Sequence, residues 1–99
     1  MLMVMTYVEK RCGYERDGSF STSKGDRWQN FDCGIAAATF ELAAHELGLG
    51  SVVLGIFEEE KLRELLEGMG VACLMPLGYP AEAPGAPKRK EVAELLTIK

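Results

Sequence analysis

Three glycines punctuate residues 42–57, LAAHELGLGSVVLGIF, and glycine spacing is one of the patterns that can cradle a phosphate. A dinucleotide fingerprint runs strand, glycines, helix, so that the pyrophosphate meets the positive end of a helix. Here the order is reversed: an Ala-rich stretch of helical period precedes Gly48-Leu49-Gly50, and an apolar run follows. The spacing G-L-G-S-V-V-L-G is not GxGxxG, and GxxxxGK[ST] occurs nowhere. Gly48 and Gly50 therefore read as punctuation at a helix C-terminus, whose negative dipole end repels phosphate. Gly55 is different. A glycine at the end of a β-branched run marks either a bulge or the close approach of a ligand or another backbone.

The remaining reactive side chains are sparse. Cys12, Cys33 and Cys73 are odd in number, widely spaced and form no CxxC pair, the usage of reduced thiols in a cytoplasmic protein. With His45 the single histidine, no His/Cys metal centre is expected. A lone histidine near a helix C-terminus more often satisfies the dipole than acts as a base. Cys33, near a helix N-terminus, has the position of an activated thiol but apolar neighbours, so it reads as a packing residue. Glu58, Glu59 and Glu60 suit the positive end of the helix they open. Trp28 packs at an interface or over a ligand, and the residues alone do not choose. The run Lys88-Arg89-Lys90 is either a solvated charge cluster or an anion site.

These residues need elements to hold them. Ninety-nine residues, 47% of them apolar and without low-complexity tracts, make one globular domain with a thin core. A net charge of −4 argues against a general nucleic-acid or anionic-membrane binder. No apolar run approaches the roughly 20 residues that span a bilayer. The opening MLMVMTYVEK has no positive leader or cleavage site and reads as a strand, residues 1–9, rather than a signal peptide. Residues 10–27 read as a long polar loop or a frayed turn. A helix opened at Asn30 or Asp32 runs to Leu47. Phe31, Ile35, Ala38 and Leu42 lie along one apolar stripe; Ala36, Phe40, Ala43 and Leu47 lie along another. Such a helix is expected to be almost wholly buried, and a chain of this length can hardly surround it, so a partner subunit or further chain is implied. Residues 51–57 read as a strand buried on both faces, 58–67 as an amphipathic helix, 71–77 as another apolar strand, and 80–87 as an extended Pro/Gly segment. EVAELL at 91–96 has helical propensity.

Taken together, D-C-G-I-A-A-A-T-F-E-L-A-A-H-E-L-G-L-G-S-V-V-L-G-I-F (32–57), EEEKLRELL, M-P-L-G-Y-P-A-E-A-P (75–84) and K-R-K-E-V-A-E-L-L (88–96) resemble the C-terminal half of the FMN-dependent nitroreductase family. The resemblance implies an α+β fold: a mixed sheet flanked by helices, in an intertwined homodimer with flavin at the interface. It implies that the Ala-rich helix is the dimer element and that Leu54 and Gly55 make backbone contacts near the reactive edge of the flavin. Lys88 and Arg89 match residues that hold the FMN phosphate, a role suited to a bidentate guanidinium beside a point charge. NAD(P)H would supply hydride through bound FMN to a nitro or quinone-like small-molecule acceptor, so no catalytic side chain is expected. Family members run to about twice this length, within the usual range for one domain. They open with an Arg/Ser-rich helix that grips the ribityl chain and phosphate, and no segment here matches it. Residues 1–99 therefore read as a single partial domain, truncated or split, acting as a homodimer or with a separate N-terminal half. The competing readings are a non-catalytic dimerising fragment and a flavin-binding module without turnover.

Overall fold

Alternating apolar residues and one long helical repeat give an α+β chain, described by a computed structural model over all residues, Met1–Lys99. In chain order the elements are β1 (Leu2–Tyr7), α1 (Arg27–Glu46), β2 (Gly50–Ser51), α2 (Glu59–Leu65), β3 (Gly70–Gly78) and α3 (Val92–Leu95). The strands form one sheet in the order β1-β3-β2, antiparallel throughout, so no parallel pairing of a mixed sheet occurs among them. β1 runs against β3 from Leu2↔Pro76 to Tyr7↔Gly70, with an irregularity between Met5 and Thr6. The α-ammonium of Met1 donates to the Leu77 carbonyl at 2.8 Å, and the Leu77 N–H donates back to the Met1 carbonyl.

β3 is the centre of what core there is. Val71, Cys73 and Met75 alternate onto one face and are buried, with Met75 fully so. Phe40 of α1 meets Met3, Val4, Met5 and Met75 around a small gap of 70 Å³, which fixes the helix against β1 and β3. α1 ends as Gly48 requires. With φ at +75°, its N–H donates to the His45 carbonyl while the Leu49 N–H donates to Ala44, the paired closure of a Schellman motif.

Two expectations need correction. α1 begins nearly a full turn before Asn30, at Arg27, and Asp26 at its N-cap makes no side-chain capping bond. The turn ahead of it sets the start instead: Gly25 N–H donates to Thr22, Trp28 N–H to Gly25 and Gln29 N–H to Asp26, while the Arg27 guanidinium holds the Ser23 and Lys24 carbonyls. Residues 10–26 are the expected loop, built as a run of ordered turns. Tyr14 bridges to Phe20 with ring centroids 5.0 Å apart, and Gly13 (φ +85°) lies so close to the Gly25 carbonyl that no Cβ fits between them. The run 51–57 is not a buried strand: after Gly50–Ser51 only Leu54 pairs, with Leu74, and Ile56 is 99% exposed. Within this single chain α1 buries only Gln29, Cys33 and Ala44, leaving in solvent Phe31, Ile35 and Leu42, the face for which a partner subunit or further chain is expected.

The exposure of residues 51–57 and that of α1 share one cause. Only 8 of 99 residues are buried, and the accessible surface is 8305 Å². A compact monomer of this mass exposes roughly 5,500 Å², and its radius of gyration is about 13 Å against 16.9 Å here, in a slab of 48 × 46 × 23 Å. Sequence wrote burial into segments that this chain alone does not cover. No helix is long and apolar enough to cross a membrane.

Candidate functional site

The segment leaving β2 carries the first group of candidate residues. Leu54 is tied to the central strand on both sides of its peptide: its N–H donates to the Leu74 carbonyl at 2.8 Å and its carbonyl accepts from Leu74 N–H at 3.0 Å. Its amide is therefore spent, and only its side chain, 40% exposed, is open to a ligand. Gly55 is the opposite case. Its N–H has no acceptor, and a Cβ built on it meets nothing within 4 Å. It is not a bulge residue of a continuous strand, since the ladder has already ended at Leu54. A bare backbone donor beside open space can take the polar edge of a flat ring. Of the two backbone contacts expected at this point, Gly55 alone has its donor free.

Lys88 and Arg89 lie in the irregular, solvent-exposed segment between β3 and α3. Neither joins an ion pair; those in the chain are Lys61–Glu58 and Arg63 with Glu9 and Glu59. Two unneutralised cations next to each other fit a phosphate in donor chemistry. EVAELL resolves into α3, closed by a reciprocal capping box in which Glu91 N–H donates to Glu94 and the Glu91 side chain accepts from the Glu94 backbone. None of the five main clefts is lined by Leu54, Gly55, Lys88 or Arg89.

The other candidates settle into structural roles. Cys33 and Cys73 are buried, and burial is the main reason both thiols are pushed up; the Cys73 charge and then Asp32 add to it at Cys33. The helix N-terminus does not activate Cys33. The neighbouring Asp32 carboxylate pushes the Cys12 thiol up. His45 lines a 580 Å³ cleft with Glu41, Glu82 and the Gly48–Ser51 turn, while no His, Cys and acidic cluster suited to a metal exists in the chain.

One constellation escaped the sequence. Lys24 Nζ sits 4.4 Å from the Trp28 ring centroid and 5.1 Å from that of Phe31, and the two rings meet edge to face at 5.5 Å. Ser23, Lys24, Arg27 and Phe31 line a cleft of 350 Å³. The available signal was the i, i+3 pair of aromatics at 28 and 31 with a lysine one turn before them.

Comparison with known proteins follows the same lines. Residues 3–79 match the model of the Nitroreductase family. A protein of Methanothermobacter thermautotrophicus, provisionally named NADH dehydrogenase/NAD(P)H nitroreductase, is 43% identical over 61 residues, 54% of this chain and 32% of that one. One of the same provisional name from Archaeoglobus fulgidus is 40% identical over 73 residues, 67% of this chain and 41% of its own length. The chain thus spans between a third and two fifths of the curated relatives it matches. In fold it resembles the crystal structure of the nitroreductase family protein from Streptococcus pneumoniae TIGR4, at a TM-score of 0.71 and 23% identity, over 79% of this chain and 41% of that one.

Proposed function

The chain belongs to the nitroreductase family, and from that membership we propose that it works as part of an FMN-dependent oxidoreductase fed by NAD(P)H. The observation that carries the reading is the family match across residues 3–79, from β1 to just past the end of β3. Bound flavin supplies the chemistry, accepting hydride and passing electrons to a nitro or quinone-like acceptor. The chain's own residues bind and orient. Gly55 offers its free N–H and the open space beside it to the ring, and Leu54 offers an apolar side chain. Lys88 and Arg89 neutralise the phosphate. Completion comes from a second copy or from a separate N-terminal half laid on the apolar face of α1. The accessible surface exceeds that of a compact chain by roughly 2,800 Å², the scale of an obligate interface.

The test is the visible spectrum of the purified chain after incubation with FMN and removal of free flavin. A retained flavin band that bleaches with NADH or NADPH supports the reading. In Gly55→Ala the chain should fold unchanged, since the added Cβ meets nothing within 4 Å, yet lose the flavin band. Retention of flavin by that variant counts against the placement at Gly55. The exposed α1 face favours a second reading, a dimerising module without turnover; an oligomer that never takes up flavin would support it.

A further inference from the structure

The cleft at the start of α1 has a chemical character that the flavin contacts do not use. Two cations face it, Lys24 and Arg27, and no carboxylate lines it. Neither cation is ion-paired; Asp26 lies between them in sequence yet within 4 Å of neither. Both are held in place. The Lys24 ammonium rests over the Trp28 and Phe31 rings with its outer side in solvent. The Arg27 guanidinium is pinned by two bonds, Nε to the Lys24 carbonyl at 3.0 Å and one terminal nitrogen to the Ser23 carbonyl at 3.3 Å, which leaves its other terminal nitrogen unengaged. Preset cations lose little freedom on binding an anion, and two of them match a dianionic phosphomonoester better than a single negative charge. In a chain of net charge −4, an unneutralised pair of this kind is a local reversal of the field.

We propose that this cleft binds the phosphomonoester of a dinucleotide donor and so selects NADPH over NADH through the 2′-phosphate. The inference rests on the reading that a nicotinamide nucleotide is the electron donor. Lys24 and Arg27 contact the phosphate.

Trp28 is the only tryptophan and lies beneath Lys24, so its emission reports the site without flavin or turnover. The experiment titrates the full chain with NADP⁺ and separately with NAD⁺, which differ only in that phosphate, and follows Trp28 fluorescence. Two lost charge-assisted contacts correspond to a preference of about tenfold or more for NADP⁺. Lys24→Gln and Arg27→Gln should each reduce that preference about fivefold with NAD⁺ affinity unchanged, and Lys61→Gln, whose partner is Glu58, should leave it intact. Circular dichroism confirms that each variant keeps its helix. Equal affinities, no saturable response to either nucleotide, or a preference that survives in the double variant would overturn the proposal. Preference without any flavin uptake would uphold the cleft while removing the oxidoreductase reading, and flavin uptake without preference would do the reverse.

Discussion

Gly70→Ala should loosen the join between β1 and β3, and the effect can be sized from the structure. Tyr7 stands opposite Gly70, with its ring lying over the glycine. A Cβ added there would meet three ring carbons, the farthest only 2.8 Å away, whereas carbon atoms rest at about 3.5–4.0 Å. The ring must retreat by about an ångström or swing into water, and overpacking of this kind costs about 1–3 kcal/mol. For a chain of this size that lowers the melting temperature by roughly 5–15 °C. A second reading comes from the phenol. Tyr7 titrates above its ordinary 10.0, first because of burial, then because of Glu59 and Glu9, with Arg63 pulling the other way. A displaced ring is rehydrated, so its titration should fall back toward 10.0. The assay is a thermal melt by circular dichroism together with a phenolate absorbance titration, in a background where Tyr14 and Tyr79 are phenylalanine. Gly78→Ala serves as the control, since a Cβ there meets nothing within 4 Å. A Gly70→Ala chain that melts with the parent and keeps its raised phenol would refute the argument that this glycine exists to admit the ring.

Leu42→Glu tests the uncovered face of α1. Leu42 is 72% exposed, so stability of an isolated chain should move by no more than about 0.5 kcal/mol. Burying a leucine contributes about 1.5–3 kcal/mol and a symmetric pair loses it twice, so self-association should weaken by about 10²–10⁴-fold in sedimentation; an unchanged dimer would place the interface elsewhere. Alkaline pH should destabilise the fold. Tyr7, Cys33 and Cys73 all have raised folded values, so the unfolded chain releases their protons first and stability falls once pH passes the ordinary thiol value of 9.0 and then the phenol value of 10.0. Melting temperatures on either side of that window check the sign, and a rise with pH would contradict it.

Legibility tracked whether a residue's partners lie within this chain. β1 and β3 were readable because each supplies the other's ladder, α2 because its acidic opening and local helical period need no cover, and Gly48 because a left-handed helix end leaves few alternatives. The start of α1 was not, since the capping side chains at Asn30 and Asp32 outweighed a turn whose hold on the helix runs through the Gly25 and Asp26 carbonyls and the Arg27 guanidinium. Val52, Val53 and Ile56 misled for another reason: their pattern states that they are covered, not by what. At the site, residue type pointed to Gly55, but only geometry separates its free N–H from the committed amide of Leu54. Lys24 and Arg27 were invisible because their character comes from what fails to pair with them.

The pairing of Leu2 with Pro76 and Tyr7 with Gly70 also sets a timetable for synthesis. Chains grow at about 5–20 residues per second, so β1 waits on the order of 3–13 s after it is made before its partner strand exists. During that interval LMVMTY is an apolar β-former with no ladder, the kind of segment that a chaperone or a neighbouring nascent chain captures. α1 needs no such wait. Its 20 residues close on local hydrogen bonds as they emerge, so the helix is in place to receive both strands when β3 arrives.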